Sequence, residues 1–160
     1  RAGGENLYIY APNPINMTDP IGLSYIDHAS TNGGRGFDIY AICKDGGTVG
    51  YIGQTGDLAE RASQHVRSGR LAEGEQLRRI TTVPTYGDAR GFEQALIEKH
   101  ETLTGVWGCP CSATNVGNKK IGFDKNSTSR NASRHSAFME GYNSGIQWIK
   151  DNPGALNPCS

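Results

Sequence analysis

The chain has 160 residues, of which 36% are hydrophobic and 20% charged, with 22 glycines and a net charge of zero. That length suits one domain with room for a short appendage, and the composition is that of a soluble, loop-rich globular protein, which excludes the membrane and disordered classes. No run approaches the roughly 18 to 20 apolar residues of a membrane helix, and no signal peptide opens the sequence, so no membrane anchoring is expected and any export would be arranged by a larger parent. The four cysteines, Cys43, Cys109, Cys111 and Cys159, are too few and too irregular for a disulfide framework. Cys109-Pro-Cys111 also lacks the two-residue spacing of a zinc knuckle, so structural or incidental thiols are expected. Neutrality hides an uneven charge distribution. Residues 61–80 hold Arg61, Arg67, Arg70, Arg78 and Arg79 against Glu73 and Glu75, and residues 115–135 hold Lys119, Lys120, Lys125, Arg130 and Arg134 against Asp124. Two locally basic segments are what a surface tracking phosphates requires, although solvated faces on a neutral protein would look the same.

The first stretch, "RAGGENLYIYAPNPINMTDPIGLS", is rich in Pro, Asn and Gly, with Tyr8 and Tyr10 alternating as on a short strand. Ala2-Gly3-Gly4, Asn6-Leu7-Tyr8, Tyr10, Asn13-Pro14, Asn16 and Asp19-Pro20-Ile21-Gly22-Leu23 resemble the end of the conserved core of RHS-repeat proteins. That resemblance makes Asp19 one carboxylate of a self-cleavage junction and Leu23 to Ser24 its cut. The second carboxylate lies upstream in the family, so cleavage is expected to be inoperative and residues 1–35 to be a core remnant and linker. It also implies a C-terminal effector toxin of interbacterial competition, carried by a parent RHS shell, secreted by a bacterial export system into the cytoplasm of a target cell and paired with a cognate immunity protein.

Further along, "FDIYAICKD" and "TVGYIGQT" read as strands joined at Gly46-Gly47, a β-hairpin. A helix capped by Asp57 or Thr55 follows, with Leu58, Ala62 and Val66 as its expected buried stripe and Gly69 as its end. Arg61 and His65, four apart, share a neighbouring face of that helix. "RRITTVPTY" reads as a third strand. "DARGFEQALIEKHETLTG" reads as a second helix, with Phe92, Leu96 and Leu103 inward and Gly105 as a stop. Phe138, Tyr142, Ile146 and Ile149 place a third helix over about 133 to 150.

Hairpin, helix, strand, helix is the order of the GIY-YIG endonuclease core, and the residues carry the likeness. Asp38-Ile39-Tyr40 stands where that family has Gly-Ile-Tyr, and Tyr51-Ile52-Gly53 matches the second box. Arg61 lies ten residues after Tyr51, His65 falls where the family places Tyr or His, Glu93 sits on the next long helix, and Asn115, or else Asn118, follows in a later loop. Asp38 departs from the family's Gly. The chain thus resembles a GIY-YIG nuclease over residues 36–118, which implies an α+β fold with a small three-stranded sheet flanked by helices. A basic loop and an extra C-terminal helix would fill residues 119–160.

Phosphodiester hydrolysis needs an activated water and positive charge on the phosphorane. Glu93 could hold Mg²⁺, or Mn²⁺, together with waters and substrate phosphate. Arg61 could fork onto a phosphate oxygen. The resemblance makes Tyr40 the general base, which requires its hydroxyl to be lowered by the nearby cation and the metal. Tyr51 would position water or phosphate, His65 would share the proton traffic, and Asn115 would tie the site together. Taken singly, the tyrosines could be core aromatics, Arg61 a surface residue, His65 a packing residue and Glu93 a helix-favouring one. Arg67, Arg70, Lys119, Lys120, Lys125, Arg130 and Arg134 are the candidate nucleic-acid contacts, with the Asn- and Ser-rich loop after Asn115 either clamping a strand or merely connecting. The expected activity is that of a monomeric, metal-dependent DNase toxin. The alternatives are an RNase cutting transfer RNA on the same fold, or a non-enzymatic tip module that grips nucleic acid.

Overall fold

The computed structural model describes residues 26–103, 117, 118 and 120–160. The self-cleavage positions Asp19 and Leu23, together with Gly105, Cys109, Cys111, Asn115 and Lys119, lie outside the described residues. The architecture is α+β. In chain order the elements are β1 (Phe37–Cys43), β2 (Val49–Thr55), α1 (Leu58–Arg67), β3 (Gln76–Val83), α2 (Tyr86–His100) and α3 (Ala132–Asp151), then a 3₁₀ turn over Pro153–Leu156. The strands form one antiparallel sheet in the order β2-β1-β3.

Each element has a local cause. Gly46 and Gly47 both take left-handed φ, +95° and +79°, which lets the hairpin reverse without a Cβ penalty. The Asp57 side chain accepts the Glu60 N–H and starts α1, and Gly69 follows its end with φ +72°. Thr85 and Asp88 close a reciprocal capping box at the start of α2. Helix α2 ends at Glu101, a non-glycine residue in left-handed conformation (φ 53°), four positions before the expected glycine stop.

Alternation along β1 separates two environments. Phe37, Ile39, Ala41 and Cys43 enter the core with Ile52, Val83, Ala89, Phe92, Leu96 and Phe138, whereas Asp38 and Tyr40 do not. Helices α2 and α3 meet backbone to backbone, since a Cβ on Gly91 would run into the main chain of Gly141 and Tyr142. The C-terminal helix thus packs on the core that also carries the sheet. No described helix is long and apolar enough to cross a membrane.

Three expectations are corrected. Val66 is 60% exposed, because the buried position in α1 is taken by His65, which turns the Leu58, Ala62, Val66 line toward the rim. Leu103 is 43% exposed, because α2 stops before reaching it. Cys43 and Cys159 are not thiols but a disulfide, with Cα atoms 5.3 Å apart across a sequence separation of 116. Spacing could not reveal that pairing, since the C-terminal segment reaches the end of β1 only after α3 has folded back. Reduction, or the Cys159→Ser exchange, is expected to cost about 3 kcal/mol, read as a lowered Tm in melts run with and without reductant.

Candidate active site

The face of β1 turned away from the core carries Tyr40, and its cross-strand partner on β2 is Gly53. A Cβ at Gly53 would collide with the Tyr40 ring and hydroxyl and come within 2.8 Å of the Tyr51 ring, so the glycine of the Tyr-Ile-Gly box makes the space that Tyr40 fills. Tyr51 pairs with Ile42 and therefore shares this face, with its ring centroid 6.1 Å from that of Tyr40. Helix α1 brings His65 over both rings, at 5.7 Å from Tyr40 and 5.4 Å from Tyr51. The Tyr40 hydroxyl lies 2.7 Å from His65 Nε2 in a buried hydrogen bond. Arg70 stacks over the Tyr51 ring at 4.6 Å while donating to the Gly117 carbonyl at 2.7 Å, which fixes the ring from its outer side.

Glu93 projects from α2, is 8% exposed, and pairs through Oε2 with Arg90 at 3.3 Å. Arg90 also donates to the Gly122 carbonyl. Among the described residues Glu93 Oε1 has no hydrogen-bond partner. Arg61 Nε is buried and likewise unpartnered. Asn118 is buried and holds the free edge of β2: its Oδ1 accepts from Ile52 N at 3.0 Å and from Thr102 Oγ1 at 2.7 Å, and its Nδ2 donates to the Ile52 carbonyl at 2.7 Å. The tying role expected of Asn115 is thus filled, within the described residues, by the second choice, Asn118.

One electrostatic field joins these groups. Burial pushes the Tyr40 hydroxyl far above the ordinary tyrosine range; Tyr51 and Glu93 add to the rise and Arg61 opposes it. Arg61 thus acts on Tyr40 in the expected direction, but in the protein without metal the loss of solvent outweighs the guanidinium. Tyr51 is raised by burial and by Glu93, against Arg70 and Arg61. His65 is pulled down to about 4 by burial and by the charges of Arg61 and Arg70, so the imidazole is neutral at physiological pH. Glu93 is raised by burial, with Arg90 and Arg61 opposing.

Tyr40, Tyr51, Arg61, His65 and Glu93 are accordingly brought together, and of the basic candidates Arg70 joins them over Tyr51, whereas the other described ones engage partners elsewhere. Arg67 is exposed and pairs with Glu60 at 3.2 Å. Lys125 pairs with Glu98 at 2.7 Å, and Arg134 donates to the Ile26 carbonyl at 2.6 Å. Arg130 donates to the Asp124 carbonyl at 2.9 Å, and Lys120 is exposed. Arg90 was missed in the sequence, and Gly53 was read as part of the second box without the space it makes for Tyr40. The i, i+3 spacing of Arg90 and Glu93 is a signal that could have found Arg90. A concavity of about 750 Å³ lies beside the cluster, between α1 and β3, lined by Asp38, Arg79 and Ala62 but by none of the five grouped residues. There Asp38 is engaged by Arg79 Nε at 2.8 Å and by Thr82 Oγ1 at 2.7 Å, which anchors the corner where the resemblance places a glycine.

Among the described residues no three His, Cys, Asp or Glu side chains cluster. The donor set near the tyrosines is the Glu93 carboxylate with its free Oε1, which fits an ion that keeps most of its water and takes its other ligands from phosphate, as Mg²⁺ does. Compared with protein-family models, curated proteins and solved structures, the chain has no significant match.

Proposed function

We propose that the chain is a metal-dependent endonuclease with a GIY-YIG-like core that hydrolyses DNA phosphodiester bonds, and that it acts as the toxin tip of an RHS parent delivered into a target cell and restrained by an immunity protein. The observation that carries the chemistry is the buried Tyr40–His65 hydrogen bond beside an Arg61 whose buried Nε has no partner. Buried donors are seldom left unpaired, and His100 Nε2 is the other such atom among the described residues, but only Arg61 Nε stands in the field of Tyr40 and Glu93, as a site awaiting an anionic oxygen would have it. The toxin context rests on the N-terminal resemblance.

In this reading a water proton passes to the Tyr40 oxygen as the Tyr40 proton passes to His65 Nε2. No free tyrosinate is then required, and the neutral imidazole is the terminal acceptor. Arg61 binds a non-bridging phosphate oxygen and offsets the charge that grows on it. Tyr51, clamped by Arg70, borders the water. Glu93 would hold a divalent cation, which when bound would supply Lewis-acid stabilisation of the leaving oxygen. Asn118 keeps Ile52, and with it the Tyr-Ile-Gly strand, in register.

The test incubates supercoiled plasmid, and separately total transfer RNA, with the folded protein in Mg²⁺ and in EDTA. Metal-dependent nicking or linearisation supports the DNase, selective loss of transfer RNA replaces it with an RNase on the same site, and salt-sensitive binding without strand loss replaces both with a binding module. Arg61→Ala is expected to lower cleavage about 100-fold with little change in Tm, and Arg61→Lys to restore only part of the rate, because an ammonium lacks the planar fork.

A further inference from the structure

A second cavity, about 470 Å³, is lined by Arg90, Ile121, Gly122, Phe123, Asp124 and Arg130. It abuts the site just described through Arg90, whose guanidinium faces Glu93 on one side and Gly122 on the other. Arg130 sits over the rings of Phe123 and Phe138, at 5.5 and 5.3 Å. Its Nη1 lies 2.9 Å from both the Asp124 carbonyl and His135 Nδ1. These contacts fix the plane of the guanidinium without neutralising it. Among the described residues Arg130 has no carboxylate partner, and the Asp124 carboxylate is turned to the Asn126 N–H at 2.9 Å. Burial disfavours the Arg130 charge and Asp124 favours it, while the positive fields of Arg134 and Arg90 oppose it. A held, half-buried, unpaired guanidinium that shares a cavity with a second one is arranged for an oxyanion.

We propose that this cavity is an anion subsite that takes a backbone phosphate of the nucleic acid flanking the one cleaved at Arg61. The volume admits a phosphodiester with part of its sugar, and the Nε–H and Nη2 donors of Arg130 remain for it. The assignment to substrate rests on the endonuclease reading; the anion site itself does not.

Inorganic phosphate is the first probe, titrated against the whole chain and followed through the arginine side-chain Nε–H resonances. The wild type is expected to bind it with a shift at Arg130. Arg130→Gln should weaken binding roughly tenfold or more, and Arg130→Lys by less, since the charge stays and the fork is lost. Melts without phosphate check that each variant is folded. No binding by the wild type, or equal binding by folded Arg130→Gln, overturns the site. The second probe is a set of cleavable duplexes carrying one neutral methylphosphonate at each position in turn. One non-scissile position should slow the wild type and leave Arg130→Gln no slower than on the unmodified duplex. Cleavage that shows no such coupled position overturns the substrate assignment. Phosphate binding at Arg130 in a protein that cuts no nucleic acid leaves the anion site standing and removes the endonuclease reading alone.

Discussion

Glu93→Gln is expected to lower strand scission about 10³-fold while leaving the chain as stable as, or more stable than, the wild type at neutral pH. The two halves of that result have one cause. The carboxylate is buried on α2 and raised by loss of solvent despite Arg90 and Arg61. A group that binds its proton more tightly folded than unfolded contributes its full stability below the ordinary carboxylate range, and loses it as pH rises toward the raised folded value. Glutamine keeps the shape, removes the charge and should flatten that dependence. Thermal melts of both proteins at about pH 4 and about pH 8, beside a plasmid assay, read both effects. Loss of activity accompanied by a large fall in Tm at both pH values would instead make Glu93 a structural partner of Arg90, and would sink its role as the carboxylate that holds the metal.

His65→Ala and Tyr40→Phe are each expected to slow cleavage by about 10³, with the double variant no slower than either single one, because the two side chains act on one proton. The pH dependence separates this relay from a titrating histidine. His65 is held down to about 4 from an ordinary value of 6.5, so it remains an unprotonated acceptor throughout the working range. The rate profile should show no step near 6.5; His65 gives its own acid limb near 4, and a limb that moves with metal concentration belongs to Glu93. A step near 6.5 that disappears in His65→Ala would overturn the neutral-acceptor relay. Stability carries the complementary sign. A depressed folded value means that this contribution is complete above the unfolded 6.5 and is lost as pH falls through about 4, a change of roughly 3 kcal/mol that His65→Ala should erase.

Much of the sheet was legible because its signals are local. Alternation over Phe37–Cys43, two glycines at the turn and an Asp cap before α1 each act within a few residues, and the structure follows them. The grouping of Tyr40, Tyr51, Arg61, His65 and Glu93 was legible from the resemblance rather than from local physics. Their spacing matches a motif, but only the register Tyr40↔Gly53 and the tilt of α1 make the contact. Burial was misread where a polar residue took the inner position: His65 displaced Val66 because its hydrogen bond to Tyr40 satisfies it inside. The burial that raises Tyr40 left no signal for a related reason, since neighbouring charges can be guessed from spacing whereas desolvation depends on the whole packed surround. Contacts of high sequence separation, Arg134 with the Ile26 carbonyl or Arg70 with that of Gly117, leave no local trace at all.

The bond between Cys43 and Cys159 also has a mechanical meaning. It turns residues 43 to 159 into a closed covalent ring that contains β2, β3, all three helices and, of the candidate site, Tyr51, Arg61, His65 and Glu93, whereas β1 up to Ile42, and Tyr40 with it, lies outside. A force applied to the two ends of the oxidised chain can therefore straighten only the residues outside the ring and then the short bridge across the disulfide. Unravelled from either end, the protein would present a double-width loop rather than a single thread. A constriction that passes one extended polypeptide at a time would draw β1 and Tyr40 through from the N-terminal side and then stall at Cys43, leaving Tyr51, Arg61, His65 and Glu93 within the ring until a reductant opened it.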